Sequence, residues 1–165
     1  HKYGIAVLGA FIYGLETDTP ETMEARTSYI NNAAIDSVQA TVLTPLPGTR
    51  LFNRLQEDGK IRFNNFPQDW QHYHFGEIVW NHDLMNQETM NKEISKNWDE
   101  LYNEKVLKKK FIRTLKQTKS PIAGIWSYGS NIQYHNLVFE HDDSRPQLNL
   151  EDIFGLKDVE STPFM

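Results

Sequence analysis

Two acidic residues follow an apolar run close to the start of the chain. The stretch GAFIYGLETDTPET places Gly14 at the end of that run and Glu16 and Asp18 just beyond it. Glycine allows a positive φ or a close approach of a ligand to the backbone. Main-chain groups left free at a strand end can hydrogen-bond a flat heterocycle, and either carboxylate could bind a sugar hydroxyl. The stretch predicts a ligand site or, alternatively, an acid-rich loop that only starts a helix.

A strand–helix–strand unit must position these residues. Residues 4–12 are almost continuously apolar, a pattern typical of a strand buried on both faces. Thr19 followed by Pro20 is a helix start, and apolar residues at helical spacing continue to about Ile35. Residues 38–43 are β-branched and apolar enough for a second strand. The fold class predicted from this pattern is α/β.

The ends of the two predicted strands should meet at one edge of the sheet. A strand–helix–strand connection of this length gives parallel strands with a right-handed crossover. Ligands in parallel α/β folds bind beyond the carboxyl ends of the strands, which here are residues 11–16 and 43–49. The second stretch, TPLPGT, carries two prolines and a glycine that stop the strand. We therefore expect one candidate site bordered by both stretches.

The rest of the chain is predicted to be mainly helical. A short helix over 50–58 ends at Gly59, and an aromatic-rich, irregular segment over 66–80 ends in a short strand at 77–80. Further helices are predicted from Asn86 to about Tyr102, from about Asn103 to Pro121, and over 122–138. These patterns divide the chain into a strand–helix–strand part (1–66), a helical extension (67–140) and a polar tail (141–165).

Composition limits the possible partners. The net charge is −5 and the isoelectric point is near 5.7, so neither nucleic acid nor an anionic membrane is an expected partner. The apolar runs are too short to span a bilayer. Cysteine is absent, which excludes thiolate nucleophiles and cysteine-held clusters from this chain. A cytoplasmic location is the expectation.

A histidine-rich segment offers an alternative kind of site. His72, His74 and His82, completed by Glu77 or Asp83, could bind a metal such as zinc. A His-x-His pair without a further close ligand is a weak pattern, and aromatic packing with solvent-facing imidazoles explains it better. No metal site is therefore predicted.

Two more groups of side chains have simple structural interpretations. Residues 105–119 carry seven basic residues opposite Leu107, Phe111 and Leu115. This pattern is typical of the solvated face of an amphipathic helix, with phosphate or RNA binding as the alternative. Trp126, Tyr128 and Tyr134 lie near helical spacing and are predicted to belong to the core rather than to a substrate platform.

The sequence resembles a known family over about residues 3–62. GIAVLGAFIYGLETDTPETM and IDSVQATVLTPLPGTRLFNRLQEDGKI are similar to the last third of the radical S-adenosylmethionine core, and the likeness is closest to enzymes with an N-terminal cobalamin-binding domain. DWQHYHFGEIVWNHDLMNQETM resembles the extension that follows the barrel in those enzymes. The resemblance implies the last two strands of a partial (β/α) TIM-like barrel followed by a mainly helical extension.

The resemblance also implies cofactor contacts for particular residues. Ile12 would offer main-chain contacts to the adenine of S-adenosylmethionine, and Gly14 would allow that approach. Glu16, together with Asp18, would orient the loop or reach a ribose. Leu43 and Pro45 would border the adenine, while Pro47 and Gly48 would shape the turn. Ala10 and Thr17 stand where the general family motif carries glycine and glutamate.

The resemblance further implies that the chain is the C-terminal part of a longer enzyme. The family holds a 4Fe-4S cluster with three cysteines and reduces S-adenosylmethionine, and cobalamin is a possible further cofactor. Because this chain has no cysteine, it is not expected to be catalytic alone. Its expected partner is the rest of that polypeptide, and the isolated piece could self-associate. The alternative function is a non-catalytic α+β protein-interaction module, and a third is a small nucleotide-binding protein that uses the same strand edge.

Overall fold

The computed structural model describes residues 1–140, so the predicted polar tail lies outside the described residues. The described part is mixed α/β, with a two-stranded parallel sheet and five α-helices. In chain order the elements are β1 (Leu8–Tyr13), α1 (Pro20–Asn32), β2 (Ser37–Val42), α2 (Arg50–Glu57), a 3₁₀ helix (Gln68–His72), α3 (Gln87–Tyr102), α4 (Glu104–Thr118) and α5 (Pro121–Val138). None of the described helices is long and apolar enough to cross a membrane.

Helix starts follow the sequence signals. Thr19 and Thr22 form a reciprocal capping box at the start of α1, with Pro20 in its first turn. Thr49, Asn86 and Asn103 each accept a hydrogen bond from a first-turn backbone N–H of α2, α3 and α4. These side chains satisfy amide groups that have no partner within the helix. The predicted helix positions are confirmed, although α1 ends at Asn32 rather than near Ile35.

The two strands pair in parallel, as predicted. Leu8 lies opposite Ser37, and the register continues to Tyr13 opposite Val42. The ladder extends one residue further, because the N–H of Leu43 donates to the carbonyl of Tyr13 at 2.8 Å. The carboxyl ends of β1 and β2 are therefore neighbours.

The first strand is shorter and more exposed than its sequence predicts. Gly4 has a positive φ of 75°, and β1 begins only at Leu8. Along β1 exposure alternates, and Leu8 and Ile12 remain 41% and 45% exposed. The prediction that β1 is buried on both faces is wrong for this chain. The core covers one face of β1, and no element among residues 1–140 covers the opposite face.

Two side chains and one main-chain carbonyl occupy most of the hydrogen-bonding positions along the outer edge of β2. The Tyr102 hydroxyl accepts from the N–H of Ala40 and donates to the carbonyl of Val38, each at 3.0 Å. The amide of Asn131 accepts from the N–H of Val38 at 3.1 Å. Near the strand end, the carbonyl of Phe75 accepts from the N–H of Val42 at 2.8 Å. These groups occupy hydrogen-bonding positions that a further strand would otherwise use.

The amino end of β2 holds a buried polar cluster around Asp36. The Asp36 carboxylate accepts from the backbone N–H of Val7 at 2.7 Å and from the Thr114 hydroxyl at 2.5 Å. The Asp36 carbonyl accepts from Ser127 and Asn131. Helices α4 and α5 are therefore tied to the sheet through polar contacts as well as through apolar packing.

The helical extension packs against the sheet. Of its three aromatic residues predicted to lie in the core, two do so. Tyr128 is 1% exposed, and Tyr134 packs against the core, as predicted. Trp126 is 42% exposed, so its predicted core position is wrong. The turn of α5 that buries Ser127 and Tyr128 directs Trp126 away from the sheet. Residues 77–80 form only one antiparallel bridge, between Ile61 and Trp80, rather than the predicted strand.

The basic face of α4 is not wholly solvated, so the prediction that it is a solvated face also needs correction. Lys110 is 1% exposed, and its ammonium nitrogen has no hydrogen-bond partner among the described residues. Burial lowers the pKa of Lys110 to about 8, with a further contribution from Arg113, while Asp36 acts in the opposite direction. Arg113 itself donates to the carbonyls of Ile35 and Asn31. Lys110 is therefore enclosed by the protein, and Arg113 binds the end of α1 and the connection to β2.

We expect the variant Lys110→Met to be more stable than the parent at pH 7, by about 1–3 kcal/mol, because a buried ammonium without a partner is removed. Between the folded pKa of about 8 and the higher pKa of the unfolded chain, the unfolded chain binds more protons. The free energy of unfolding of the parent therefore increases as the pH rises between these two pKa values. The advantage of the variant should shrink as the pH rises from about 8 to 10.

Urea unfolding of both proteins across this pH range measures the difference. Lys109→Met is the matched control, since Lys109 is exposed on the same helix and its replacement should change little. A loss of stability in Lys110→Met, or a gain that does not depend on pH, would contradict the expectation.

Candidate functional site

The two predicted site stretches lie side by side. Ile12 is opposite Thr41 at the ends of β1 and β2, and Gly14 and Leu43 continue the two strands. Leu43 is partly buried and packs against the core, and Pro45 is buried. The structure thus brings Ile12, Gly14, Leu43 and Pro45 to one end of the sheet, where the sequence placed them. Whether they contact a cofactor stays a prediction.

Gly14 is required by the fold at this position. Its φ is +74°, and a Cβ atom added there would lie 2.6 Å from Cδ1 of Ile78. An L-residue would be strained by the backbone conformation and would also overlap a core side chain. The direction in which a Cβ would point is therefore filled by the protein itself.

Asp18 fixes the loop that follows Gly14. It is 1% exposed, and its two oxygens accept from the two terminal guanidinium nitrogens of Arg26 at 2.9 and 2.6 Å. One of these oxygens also accepts from the N–H of Leu15 at 3.0 Å. Since both carboxylate oxygens are bonded within the protein, Asp18 orients the loop and is not available to a ribose.

Glu16 is the more accessible acid. Its carboxylate pairs with Nη2 of Arg54 on α2 at 2.5 Å, with both side chains partly exposed. This ion pair links the loop after β1 to the helix after β2, and it holds the Glu16 carboxylate at the end of the sheet. Screening by solvent makes such a pair a weak contributor to stability, so its main effect is on orientation.

His82 holds the same loop from the helical extension. Its Nδ1 accepts from the backbone N–H groups of Leu84 and Met85 at 3.1 and 3.2 Å. With Nδ1 an acceptor, Nε2 carries the proton and donates to the carbonyl of Leu15 at 2.8 Å. The extension therefore positions the candidate site directly.

A buried hydrogen-bond chain anchors the end of β1. Thr27 donates to the side-chain oxygen of Asn97 at 2.5 Å. Because this uses the only hydroxyl proton of Thr27, the Tyr13 hydroxyl donates to Thr27, at 2.7 Å. Burial raises the pKa of Tyr13 to about 12, so the phenol keeps its proton. β1, α1 and α3 are thereby fixed to one another beside the candidate site.

The histidines of the alternative metal site make different contacts. His72 lies 3.0 Å from an oxygen of Glu77 and stacks on Phe63. His74 is 3.9 Å from the same oxygen, whereas His82 contacts the loop after β1. Within residues 1–140, no group of three or more potential ligands is arranged to hold a metal ion.

The sequence analysis missed three residues that build this site: Arg54, Ile78 and His82 in its structural role. Arg54 reaches Glu16 across 38 residues of sequence, and His82 reaches Leu15 across 67. Local spacing carries no signal for such pairs. Only the presence of Gly14, which leaves room for Ile78, indicated that something must approach closely.

Comparison with curated proteins finds partial sequence matches. Hopanoid C-2 methylase from Rhodopseudomonas palustris is 42% identical over 60 residues, which is 36% of this chain and 11% of that protein. Bacteriochlorophyllide d C-12(1)-methyltransferase from Chlorobaculum tepidum is 36% identical over 73 residues, 44% of this chain and 15% of that protein. An uncharacterised methyltransferase from Pyrococcus horikoshii is 43% identical over 51 residues, 31% of this chain and 11% of that protein.

The chain is similar to methyltransferases. It spans only about 11 to 15% of the length of these curated relatives. No protein-family model matches the chain, and no solved structure matches it. The similarity supports a methyltransferase-like family.

Proposed function

We propose that the chain is the C-terminal part of a radical S-adenosylmethionine methyltransferase of the cobalamin-binding-domain type. In this proposal β1 and β2 are the last two strands of a partial (β/α) barrel, residues 67–140 form an extension beside it, and the enzyme is cytoplasmic. The partner of this chain is then the upstream part of the same polypeptide. The sequence matches to three methyltransferases support the reaction class.

The asymmetry of the sheet carries the proposal. At β2 the outer edge is closed by Tyr102, Asn131 and the Phe75 carbonyl. At β1 the carbonyls of Val7 and Tyr13 bond β2, so the main-chain groups of the even-numbered residues 8, 10 and 12 face the other edge. No described residue bonds them. Among residues 1–140, β1 is therefore the strand whose outer edge is open to a further strand.

This is the edge at which a penultimate barrel strand needs its neighbour. The upstream part of the polypeptide would also cover exposed apolar side chains in and before β1, namely Tyr3, Ile5, Val7, Leu8 and Ile12. A final strand needs none, which agrees with the sealed edge of β2. The alternative of an interaction module does not by itself explain why one edge is open and the other closed.

The contribution of this chain to S-adenosylmethionine binding would come from the strand ends. In this proposal the upstream strand pairs with residues 8 and 10, which leaves the main-chain groups of Ile12, the last on that edge, for a purine. Leu43 and Pro45 would form an apolar border. Glu16, held by Arg54, is the one acid of the loop that could reach a sugar hydroxyl. Gly14 fits this role less directly than expected, because Ile78 fills the space beside it.

The iron–sulfur cluster has no ligands here. The chain contains no cysteine, so the upstream part would supply the three thiolates. The cluster, when bound there, would supply the electron that cleaves S-adenosylmethionine, and cobalamin would serve as a possible methyl carrier. The residues of this chain would bind and orient the adenosyl group and close the barrel.

Binding of S-adenosylmethionine to the longest polypeptide that contains this chain tests the proposal. We expect Glu16→Gln to raise the Kd about tenfold, because one charge-assisted hydrogen bond to the ribose is weakened. Arg54→Met is the matched variant, since it removes the partner of Glu16 and keeps the carboxylate. Equilibrium dialysis under anaerobic conditions measures both Kd values.

A smaller increase in Kd for Arg54→Met than for Glu16→Gln would indicate that the Glu16 carboxylate binds the ligand directly. Equal effects would assign Glu16 to loop orientation within the same site. Failure of the cluster-containing polypeptide to bind S-adenosylmethionine, or a Kd that neither variant changes, would count against the proposal.

A further inference from the structure

A cavity of about 690 Å³ lies along the outer edge of β2. Its walls come from four parts of the fold: Gln39–Thr41 of β2, residues 71–77, the inner side of α3 and the end of α5. Ile94 and Trp98 of α3 and Val138 of α5 give it an apolar side, and Thr41, Asn91 and Ser95 give it hydrogen-bonding groups. Its size is that of a site for one small organic molecule.

Phe75 lines this cavity in an unfavourable backbone conformation. Its φ is +64°, a region that bulky residues rarely adopt, and its side chain is 47% exposed. Its carbonyl is held by the N–H of Val42 at the edge of β2. Gly76, the next residue, would adopt a positive φ without strain, yet the strained position carries an exposed aromatic ring. Strain of this kind is concentrated at ligand sites.

Two hydrogen-bonding groups of the cavity walls lack a partner. The N–H of Ala40 points away from β1 toward Tyr102, so the carbonyl of the same residue points away from β1 too, and no described residue donates to it. The indole N–H of Trp98 is buried and has no hydrogen-bond partner within residues 1–140. Buried groups of this kind are costly unless something bonds them.

The charges around the cavity select against anions. Among the described residues that line it are two carboxylates, Glu77 and Glu140, and one imidazole, His74, but neither lysine nor arginine. A phosphate, sulfate or carboxylate group in the cavity would meet negative charge with no fixed positive partner.

We propose that this cavity binds a small uncharged or cationic molecule with an apolar body and few hydrogen-bonding groups. Phe75, Ile94 and Trp98 contact the apolar body, and the carbonyl of Ala40 accepts a hydrogen bond from an N–H or O–H group of the bound molecule. The inference goes beyond the proposed function and does not rest on it, because none of these residues belongs to the S-adenosylmethionine contacts.

A matched pair of fluorescent probes tests the charge selectivity. N-phenyl-1-naphthylamine is uncharged, and 1-anilinonaphthalene-8-sulfonate is the same molecule with a sulfonate added. In the longest polypeptide that contains this chain, we expect the uncharged probe to bind at least tenfold more tightly than the anionic probe, a preference of about 1.4 kcal/mol. Equal or tighter binding of the sulfonate would overturn the proposal.

Three variants locate the bound probe. Ser95→Phe fills the cavity and should weaken binding of the uncharged probe at least tenfold. Phe75→Gly removes both the ring and the strain, so binding should fall by a similar factor while Tm stays unchanged or rises by up to about 4 °C. Ile122→Ser is the control, because it removes an exposed apolar side chain at the start of α5, away from the cavity and from the proposed barrel contacts, and should leave probe binding unchanged.

Each result has a defined meaning. Probe affinity that survives Ser95→Phe would place the probe outside the cavity and overturn the proposal, whether or not Ile122→Ser changes it. A clear fall in the Tm of Phe75→Gly would show that the ring is held for its own packing, which would overturn the argument from strain. These measurements involve no S-adenosylmethionine. They can therefore contradict the cavity proposal without affecting the proposed function, and the S-adenosylmethionine experiment can contradict the proposed function without affecting the cavity proposal.

Discussion

Replacing Gly14 by alanine is expected to lower the free energy of unfolding by about 2–5 kcal/mol. A positive φ costs an L-residue about 1–2 kcal/mol, and overpacking a core position adds about 1–3 kcal/mol. Both apply here, because Gly14 has a φ of +74° and its missing Cβ would lie 2.6 Å from Cδ1 of Ile78. Urea unfolding of parent and variant measures the loss.

Two further variants separate strain from overlap. Gly48 has a φ of +86°, and a Cβ added there would have nothing within 4 Å, so Gly48→Ala should lose only the backbone contribution. Adding Ile78→Val to Gly14→Ala removes the overlapping Cδ1 and should recover part of the stability. Two results would contradict this account. Gly14→Ala could lose no more stability than Gly48→Ala, or the double variant could lose the sum of the two single losses. Either would show that the close contact with Ile78 does not destabilise Gly14→Ala.

Removing the hydroxyl of Tyr102 is expected to cost about 2–4 kcal/mol. The hydroxyl bonds both the N–H of Ala40 and the carbonyl of Val38, and Tyr102→Phe leaves these two buried main-chain groups without partners. The amide of Ala40 should also exchange with solvent deuterium much faster relative to other core amides. Urea unfolding and hydrogen exchange measure the two effects.

Tyr29→Phe is the control for the loss of a tyrosine hydroxyl, because Tyr29 is 64% exposed. Its stability should change by no more than about 0.5 kcal/mol. A Tyr102→Phe protein as stable as this control, with the Ala40 amide still protected, would show that the edge of β2 is held by Asn131 and Phe75 without the phenol.

Local sequence signals were sufficient for most elements of the fold. Thr19 with Pro20, and Asn86, cap helices where they were expected, because capping depends on residues within one turn. The parallel pairing of β1 and β2 followed from the length of the crossover. The neighbouring ends of the strands, and therefore the place of the candidate site, followed from that pairing.

Features that depend on distant contacts were not predictable in the same way. The sequence of an apolar strand such as β1 does not show whether another element covers it in the described chain, so the exposure of Ile12 could not be predicted. Lys110 was expected in solvent and is buried, whereas Trp126 was expected in the core and is exposed. Both differences arise because the orientation of a helix depends on the residues of the sheet that it packs against. The partners of Glu16 and Leu15, namely Arg54 and His82, are supplied by other elements.

The sealed edge of β2 has a consequence for synthesis on the ribosome. Val38 is made 93 residues before Asn131, which bonds it, and at typical translation rates this gap lasts about 5–20 s. During that interval the last strand of the sheet has an open edge able to pair with another nascent chain. Translation speed through α3–α5, and chaperone access to the strand, should therefore influence how much of the protein is recovered in native form.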